Sequence, residues 1–554
     1  MVPGEGEGAR RADRCSKASS DGPGTRPGLF RKRAATWVGQ AVPRQGGAVS
    51  VILCGMPGID SYLRRMLQGW QTIVVANRPP IDVRTGDDGV ERVTRGGGGL
   101  VTAMASVAKS SNSTWVGAAR GQSDLDLIER FGKNGVVELT TEDNESFRVV
   151  FVEPDPEAYD LYYNQISNPL LWFIQHYLWD LGRQPILDSR TGRAWREGYV
   201  RVNQDFADKV VEVAGRSRSR PLVMTQDYHL YLMPGMVRAR LPEARLQHFI
   251  HIPWPTPQYW KVIPRHMRDG ILTGLLGNDV VGLQTSLDVR NFLMTCEENL
   301  GLGVDHRQRI VFYEGRSVWV RAYPISIDIR GMTEMAASPA VHREEELIDS
   351  WRPELLILRV DRTDLSKNIV RGFLAYERLL ETHPELRGRV VFWALLQRSR
   401  QNVDAYRSYL GALVAATARV NRRFQTGTWL PIRLEVADNL HRAVAAYKSY
   451  DALLVNPIYD GMNLVAKEGV LCNERDGVLV LSENAGSYEE LGQHALGINP
   501  FDIDQTSEAL HTALTMHKRY RANRARQLRQ VVRRNDITRW ISDQLQDLND
   551  LLAQ

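Results

Sequence analysis

From Thr72 onward the apolar residues fall in short continuous runs, separated by polar loops and by stretches of helical periodicity. "TIVVAN" at 72–77 is apolar without alternation, the pattern of a parallel strand covered on both faces. "RGGGGLVTAMASVAKS" predicts a glycine loop opening a helix. "STWVGAA", "FRVVFVE", "PLVMTQDYH", "LQHFIHIPWP" and "DVVGLQT" predict further short strands, each followed by helical sequence, and "HRQRIVFYEGRSVWVRAYPISIDI" predicts two late strands. A polar helical stretch at 329–352 follows, and the pattern then restarts. "ELLILRVD", "RVVFWALL", "IRLEVAD", "YDALLVNP" and "GVLVLSE" are strand candidates separated by helices such as "IVRGFLAYERLLETH". Two successive βαβ series predict an α/β chain of two doubly wound sheets facing each other across a cleft. The expected organisation is an N-terminal extension (1–68), a first domain (69–328), a linker (329–352), a second domain (353–535) and a C-terminal helix (536–554).

The totals narrow the class. At 554 residues the chain is too long for one core. A formal net charge of +5 is small for this length and implies neither a nucleic-acid nor a membrane partner. Cys15, Cys54, Cys296 and Cys472 are far apart and form no CxxC pair, which argues against a zinc site or a disulfide framework and fits a reducing cytoplasm. Residues 1–68 are rich in Gly, Arg, Ser and Pro; either they form a disordered tail or the true start lies later, at Met56 or Met66. The sequence is compatible with a homo-oligomer.

Ligands of open α/β sheets sit at the carboxyl ends of strands, so the strand-end loops carry the candidate chemistry. Arg78 ends the first strand, and Gly96 to Gly99 would let backbone approach a phosphate. Arg362 and Lys367 in "VDRTDLSKN" could aim two cations at one diphosphate, where fixed charge stabilises a leaving group best in a water-excluding site. In "IYDGMNLVAKE", Asp460 stands at a strand end and Gly461 allows a tight turn. The amides of Met462, Asn463, Leu464 and Val465 face outward at a helix start, and Glu468 is expected about two turns in. Two carboxylates there suit sugar or ribose hydroxyls. Asp227 and His251 end adjacent apolar strands, where an unpartnered polar group is costly. "SDLDL" sits inside a helical pattern and reads as a solvated face; no metal and no cofactor is assigned.

Taken in order, "ANRPP", "GGLVTA", "YYNQISNPLLW", "QDYHL", "HIPWPTP", "RTDLSKN" and "DGMNLVAKE" resemble the trehalose-6-phosphate synthase family of retaining glycosyltransferases, from about Thr72 to the end of the second domain. The resemblance implies a GT-B fold of two Rossmann-like domains, with a C-terminal helix crossing back to the first. It implies transfer of glucose from a nucleotide diphosphate sugar to glucose 6-phosphate with retention, without a catalytic metal. Carried over, Arg362 and Lys367 hold the donor diphosphate, with Gly99 near it. Asp460 contacts the donor glucose, the amides of 462–465 surround sugar and phosphates, and Glu468 binds the ribose. His251 and Asp227 line the reacting sugars, and Arg78, Tyr163, Trp172 and Arg400 match positions that bind the acceptor. The mechanism implied is a front-face displacement.

The chain also departs from the family pattern. Ala118 stands where a second tryptophan is common, Leu365 and Asn368 alter the Asp-Tyr-Ser-Lys-Gly pattern, and "SENAGSYEELG" replaces a Phe-Ala-Gly-Ala-Ala pattern. These changes point to a divergent branch. The position that usually faces the donor base falls near Asp438, where a carboxylate would accept from guanine; this favours GDP-glucose over UDP-glucose. The rival readings are a glucosylglycerol-phosphate synthase, a pseudo-glycosyltransferase and a non-catalytic sugar-phosphate sensor. A sensor would be expected to lose some of Arg362, Lys367, Asp460 and Glu468, and all four are present.

Overall fold

The computed structural model describes residues 59–85, 91–96, 101, 104, 107, 113–131, 135–142 and 144–551. Most of the glycine loop, Gly99 included, lies outside the described residues.

The strands, in chain order, are β1 (Trp70–Val75), β2 (Ile81–Thr85), β3 (Glu91–Arg95), β4 (Thr114–Ala118), β5 (Val137–Thr140), β6 (Ser146–Val152), β7 (Arg220–Gln226), β8 (Arg245–Phe249), β9 (Val280–Leu283), β10 (Val304–Asp305), β11 (Ile310–Tyr313) and β12 (Arg316–Ala322). Then follow β13 (Leu355–Arg362), β14 (Val390–Gln397), β15 (Ile432–Val436), β16 (Ala452–Val455), β17 (Val478–Ser482) and β18 (Leu496–Ile498). They form a ten-stranded sheet ordered β10-β11-β12-β9-β8-β7-β1-β4-β6-β5, a six-stranded sheet ordered β15-β14-β13-β16-β17-β18, and the β2–β3 hairpin. The six-stranded sheet is parallel throughout. In the larger sheet only the margins, β10–β11–β12 and β5–β6, pair antiparallel.

Both sheets reverse strand order next to their first strand: between β1 and β7, and between β13 and β16. Such switch points open a crevice at the carboxyl ends of the strands. Covering on both faces explains the unbroken apolar runs. In β1, Ile73 and Val75 enter one core while Val74 and Ala76 enter another on the opposite face. In β16 the same alternation sends Leu453 and Val455 to one side, Ala452 and Leu454 to the other.

Helices complete the lobes. Helix α1 (Ile59–Met66) lies inside the stretch expected to be an extension. Its Leu63, with Leu67 just beyond it, is buried against Val74 and the C-terminal helix, so ordered packing starts before residue 69. Helix α2 (Ser286–Leu300) opens with a capping box between Thr285 and Asp288. The stretch read as a linker is two helices, α3 (Ile329–Ala336) and α4 (Pro339–Asp349), and Val341 and Ile348 are sealed in the core of the second sheet. Then come α5 (Ile369–Thr382), α6 (Leu440–Ser449), α7 (Val465–Cys472) and α8 (Ile503–Thr515). Helix α9 (Ile537–Asp550) returns to the first lobe: Trp540, Ile541 and Leu545 pack with Phe249, and Gln544 accepts from Gln247 Nε2 at 2.7 Å. No helix among the described residues is long and apolar enough to cross a membrane.

Candidate active site

At the first switch point the chain leaves β1 through Asn77 and Arg78. Asn77 is buried, and its Oδ1 accepts from the hydroxyls of Tyr162 at 3.0 Å and Tyr159 at 3.3 Å. Arg78 donates to Tyr163 OH at 3.3 Å. Tyr162 and Tyr163 come from "YYNQISNPLLW", whose residues up to Leu171 belong to a π-helical stretch, Leu161–Leu171, with Pro169 inside it, while Tyr159 stands in the helical turn just before, Pro156–Asp160. Pro169 has no amide hydrogen to give to the helix, and the wider i→i+5 winding is characteristic of functional sites. Tyr163 lies face to face with His229, ring centres 5.8 Å apart. Burial pushes its phenol up, but Arg78 and Arg400 outweigh that and hold it at about 8.

Asp227 and His251 meet at the ends of β7 and β8. The His251 amide donates to Asp227 Oδ1 at 3.3 Å, and His251 Nε2 lies 3.0 Å from Gln226 Oε1. Burial raises the Asp227 carboxyl to about 6, against the pull of backbone amides and of Arg400 and Arg362. Burial beside His248 lowers the His251 imidazole to about 3, so this ring is neutral at physiological pH.

At the second switch point, Arg362 ends β13 with its guanidinium 5.4 Å from the Trp172 ring centre and Nη1 3.5 Å from Ser399 Oγ. Lys367 lies on the short turn that follows, and its Nζ pairs with Asp460 across the β13–β16 crevice. Asn463 Nδ2 also donates to Asp460, at 3.1 Å. Asn368, where the family pattern carries glycine, has a left-handed backbone, φ 59°. Asparagine is among the few residues that tolerate this region, and here its Nδ2 also donates to the carbonyls of Asn456 at 3.0 Å and Pro500 at 2.8 Å.

In the "DGMNLVAKE" loop the left-handed residue is Asn463, at φ 67°, and not Gly461. Glycine is needed at 461 because a Cβ there would stand 2.1 Å from the His251 carbonyl oxygen of the other lobe. Glu468 falls in the first turn of α7, not about two turns in, because the helix starts at Val465. Its carboxylate accepts from Tyr447 OH at 3.0 Å, and burial raises its pKa. The amides of Met462 to Val465 have no acceptor among the described residues; those of Leu464 and Val465 open α7, and those of Met462 and Asn463 belong to the turn before it.

Arg400 ties the lobes together. Its guanidinium lies 3.9 Å from the Trp172 ring centre, donates to Tyr228 OH at 3.0 Å and Tyr406 OH at 2.6 Å, and reaches Asp364 at 3.4 Å. Trp172 Nε1 donates to the other oxygen of Asp364 at 3.3 Å. Asp364 is wholly buried, yet Arg400 and Arg362 overcome the desolvation and hold its carboxyl at about 2. Asp364 is the residue that sequence reasoning missed. It sits inside the quoted "RTDLSKN", and only its burial between two arginines distinguishes it from an ordinary helix cap.

The structure therefore brings Arg78, Tyr163, Trp172, Asp227, His251, Arg362, Lys367, Arg400, Asp460 and Met462 to Val465 to one seam between the switch points, with Glu468 behind it. Asp438, exposed just past β15, accepts from Gln397 Nε2 at 2.7 Å, and Gln397 is the register partner of Arg362 across β13–β14. Ala118 ends β4 fully buried. In the "SDLDL" helix, Asp124 caps the amides of Arg120 and Gly121.

Comparison with known proteins agrees with this architecture. The profile of Glycosyltransferase family 20 matches residues 70–550. An α,α-trehalose-phosphate synthase [UDP-forming] 2 of Aspergillus fumigatus is 32% identical over 476 residues, covering 84% of this chain and 95% of the relative. A trehalose-6-phosphate synthase of Mycobacterium marinum is 32% identical, covering 86% and 93%. A probable α,α-trehalose-phosphate synthase [UDP-forming] 2 of Arabidopsis thaliana is longer; the match, at 31% identity, covers 87% of this chain and 57% of that protein. Among solved structures, an E. coli protein bound with UDP-2-fluoro glucose superposes with a TM-score of 0.74 at 29% identity, covering 86% of this chain and 98% of that one. A UDP-forming synthase of Burkholderia xenovorans in complex with glucose-6-phosphate gives 0.73 at 29%, covering 86% and 100%. The two doubly wound sheets, the returning helix and the match across 70–550 have one reading: the chain belongs to glycosyltransferase family 20, the family of the trehalose-phosphate synthases, and has its GT-B fold.

Proposed function

We propose that this enzyme transfers glucose from UDP-glucose to glucose 6-phosphate, giving α,α-trehalose 6-phosphate, with the second lobe taking the donor and the first lobe most of the acceptor. The observation that carries this reading is the meeting of two cation sets at one seam. Arg362 and Lys367 stand at the β13–β16 crevice, and Arg78 and Arg400 stand around Tyr163. One set suits a leaving diphosphate, the other a sugar phosphate. In the front-face displacement, the acceptor oxygen bonds to C1 as the C1–O bond to the diphosphate breaks. The hydroxyl proton passes to the departing phosphate oxygen. The protein's share is positioning and charge stabilisation. Neutral His251 offers hydrogen bonds without charge; Asp460 and the amides of Met462 to Val465 hold the donor sugar and phosphates, and Glu468 the ribose. Gly99 is assigned to the diphosphate by resemblance.

UDP-glucose is preferred as donor because relatives are named UDP-forming and a structural neighbour is bound with a UDP sugar. The GDP-glucose preference expected from Asp438 is not supported by these relatives, which are named UDP-forming. A reducing cytoplasm suits the reading, and Cys296 and Cys472 are buried free thiols.

The test is an assay of the full chain with UDP- or GDP-glucose and glucose 6-phosphate or glycerol phosphate, following nucleotide release and identifying the product by mass spectrometry. UDP release that requires glucose 6-phosphate, with trehalose 6-phosphate formed, is expected. Turnover only with glycerol phosphate would remove the acceptor assignment, faster turnover with GDP-glucose the donor assignment, and no turnover both.

A further inference from the structure

Away from the seam, His383 just past the end of α5 and His511 on α8 stack face to face, ring centres 3.6 Å apart and planes 8° from parallel. Two carboxylates flank the pair. Glu508 lies 3.9 Å from His383 Nε2 and 3.9 Å from His511 Nδ1. Glu385 lies 3.3 Å from His383 Nδ1 and 4.0 Å from His511 Nε2. One ligand atom from each of His383, Glu508 and His511 falls within a 4.8 Å span.

We propose that these three side chains bind a divalent metal ion of the zinc class, with Glu385 at its edge, and that the ion clips α5 to α8. Two imidazoles and a carboxylate form a nitrogen–oxygen donor set that suits zinc, nickel or copper over magnesium or calcium. Glu508 and His511 are spaced i, i+3 on one helix and so share a face, while His383 is delivered by a different element. Ligands of one zinc ion lie roughly 3.3–3.5 Å apart and an imidazole binds a metal in its own plane, so at least one of the two rings turns out of the parallel stack when the ion binds. Glu508 is exposed and has room to follow. Helix α5 begins beside Lys367 and runs for 14 residues away from it, about 20 Å. The ion is therefore a structural clip of the second lobe and takes no part in the transfer. No local pattern marks this group, since His383 follows α5 and His511 lies on α8, far apart in the chain.

The experiment titrates the full chain, stripped with EDTA and desalted, with zinc chloride in a calorimeter. One saturable site per chain is expected, and His383→Ala/His511→Ala should weaken it about tenfold or more. Both histidines lie near the surface, so the variant's circular dichroism should match the unaltered chain. Glu508→Gln provides a second variant, with a smaller loss. Cobalt chloride added to the unaltered chain should give the visible absorption of a nitrogen-ligated ion, and that band should vanish in His511→Ala. Absence of saturable binding, or unchanged zinc affinity in both the double variant and Glu508→Gln, overturns the site.

Discussion

Arg362 and Asp227 show how burial separates function from stability at single residues. The Arg362 side chain is 38% exposed, and its nearest carboxylate, Asp364, is 3.8 Å away and already held by Arg400. Removing the guanidinium should therefore cost the fold less than ~1 kcal/mol. Losing a fixed cation at a leaving group should cost turnover about a hundredfold or more. We expect Arg362→Ala to show this split in steady-state kinetics and urea denaturation; equal losses in both would argue against the assigned role. Asp227 behaves oppositely. Its carboxyl is raised to about 6, so the folded chain binds this proton more tightly than the unfolded chain does. Ionisation therefore costs stability as pH rises from the ordinary carboxylate range, near 4, through about 6. Asp227→Asn removes that cost while keeping an acceptor for the His251 amide. The variant should be more stable by about 1–3 kcal/mol at pH 7.5 and by less at pH 5, measured by urea denaturation.

At the scale of elements, the turn from β16 into α7 does more than present a helix start. Gly461 lets it touch the strand end of the other lobe, so the amides of Met462 to Val465 are held against both lobes at once. A methyl group at 461 would meet the backbone of His251 and Ile252, so the two strand-end loops would have to move apart. Gly461→Ala should lower kcat by roughly tenfold or more, as misplacement by about 1 Å does, and lower stability by about 1–3 kcal/mol. A variant with normal kcat would show that the lobes turn over without this contact. Four of the nine non-glycine residues with positive φ among the described residues, Asp227, Asn368, Arg400 and Asn463, stand at strand-end loops of the seam, with φ between 41° and 69°. Asparagine tolerates this region, whereas a residue such as arginine there costs about 1–3 kcal/mol and persists where its surroundings over-determine it. Arg400, fixed by Trp172, Tyr228, Tyr406 and Asp364 together, is the clearest instance.

Over the whole molecule, the seam is a set of direct bridges. Besides Arg400 and Gly461, Lys467 Nζ donates to the Ile325 carbonyl at 2.8 Å, and Tyr177 packs on Tyr459 at 4.4 Å. The amide of Ser286 at the start of α2 donates to Glu489 at 3.3 Å. Helix α9 adds a covalent return path from the second lobe to the first. A ligand that bridges the lobes would bear on the same seam as these contacts. Hydrogen exchange with UDP and glucose 6-phosphate added should show slowed exchange at 460–468 and also at the strand ends near Asp227 and His251. Protection confined to the second lobe would mean that donor binding and closure are separate steps.

Local patterning was enough for the elements and their ends. Unbroken apolar runs required strands covered on both faces, two βαβ series required two doubly wound sheets, and the motif order placed Arg78, Asp227, His251, Arg362, Lys367 and Asp460 at strand ends. Short or half-exposed strands such as β5, β10 and β18 carry too few apolar residues to register as runs. Tertiary structure decided which lobe the 329–349 helices and α9 belong to, because burial of Val341, Ile348 and Trp540 depends on partners far away in the chain. It also decided the reason for glycine at 461, the first-turn place of Glu468, the burial of Asp364 between two arginines and the meeting of His383 with His511. Each of these rests on a contact between segments that no local pattern connects.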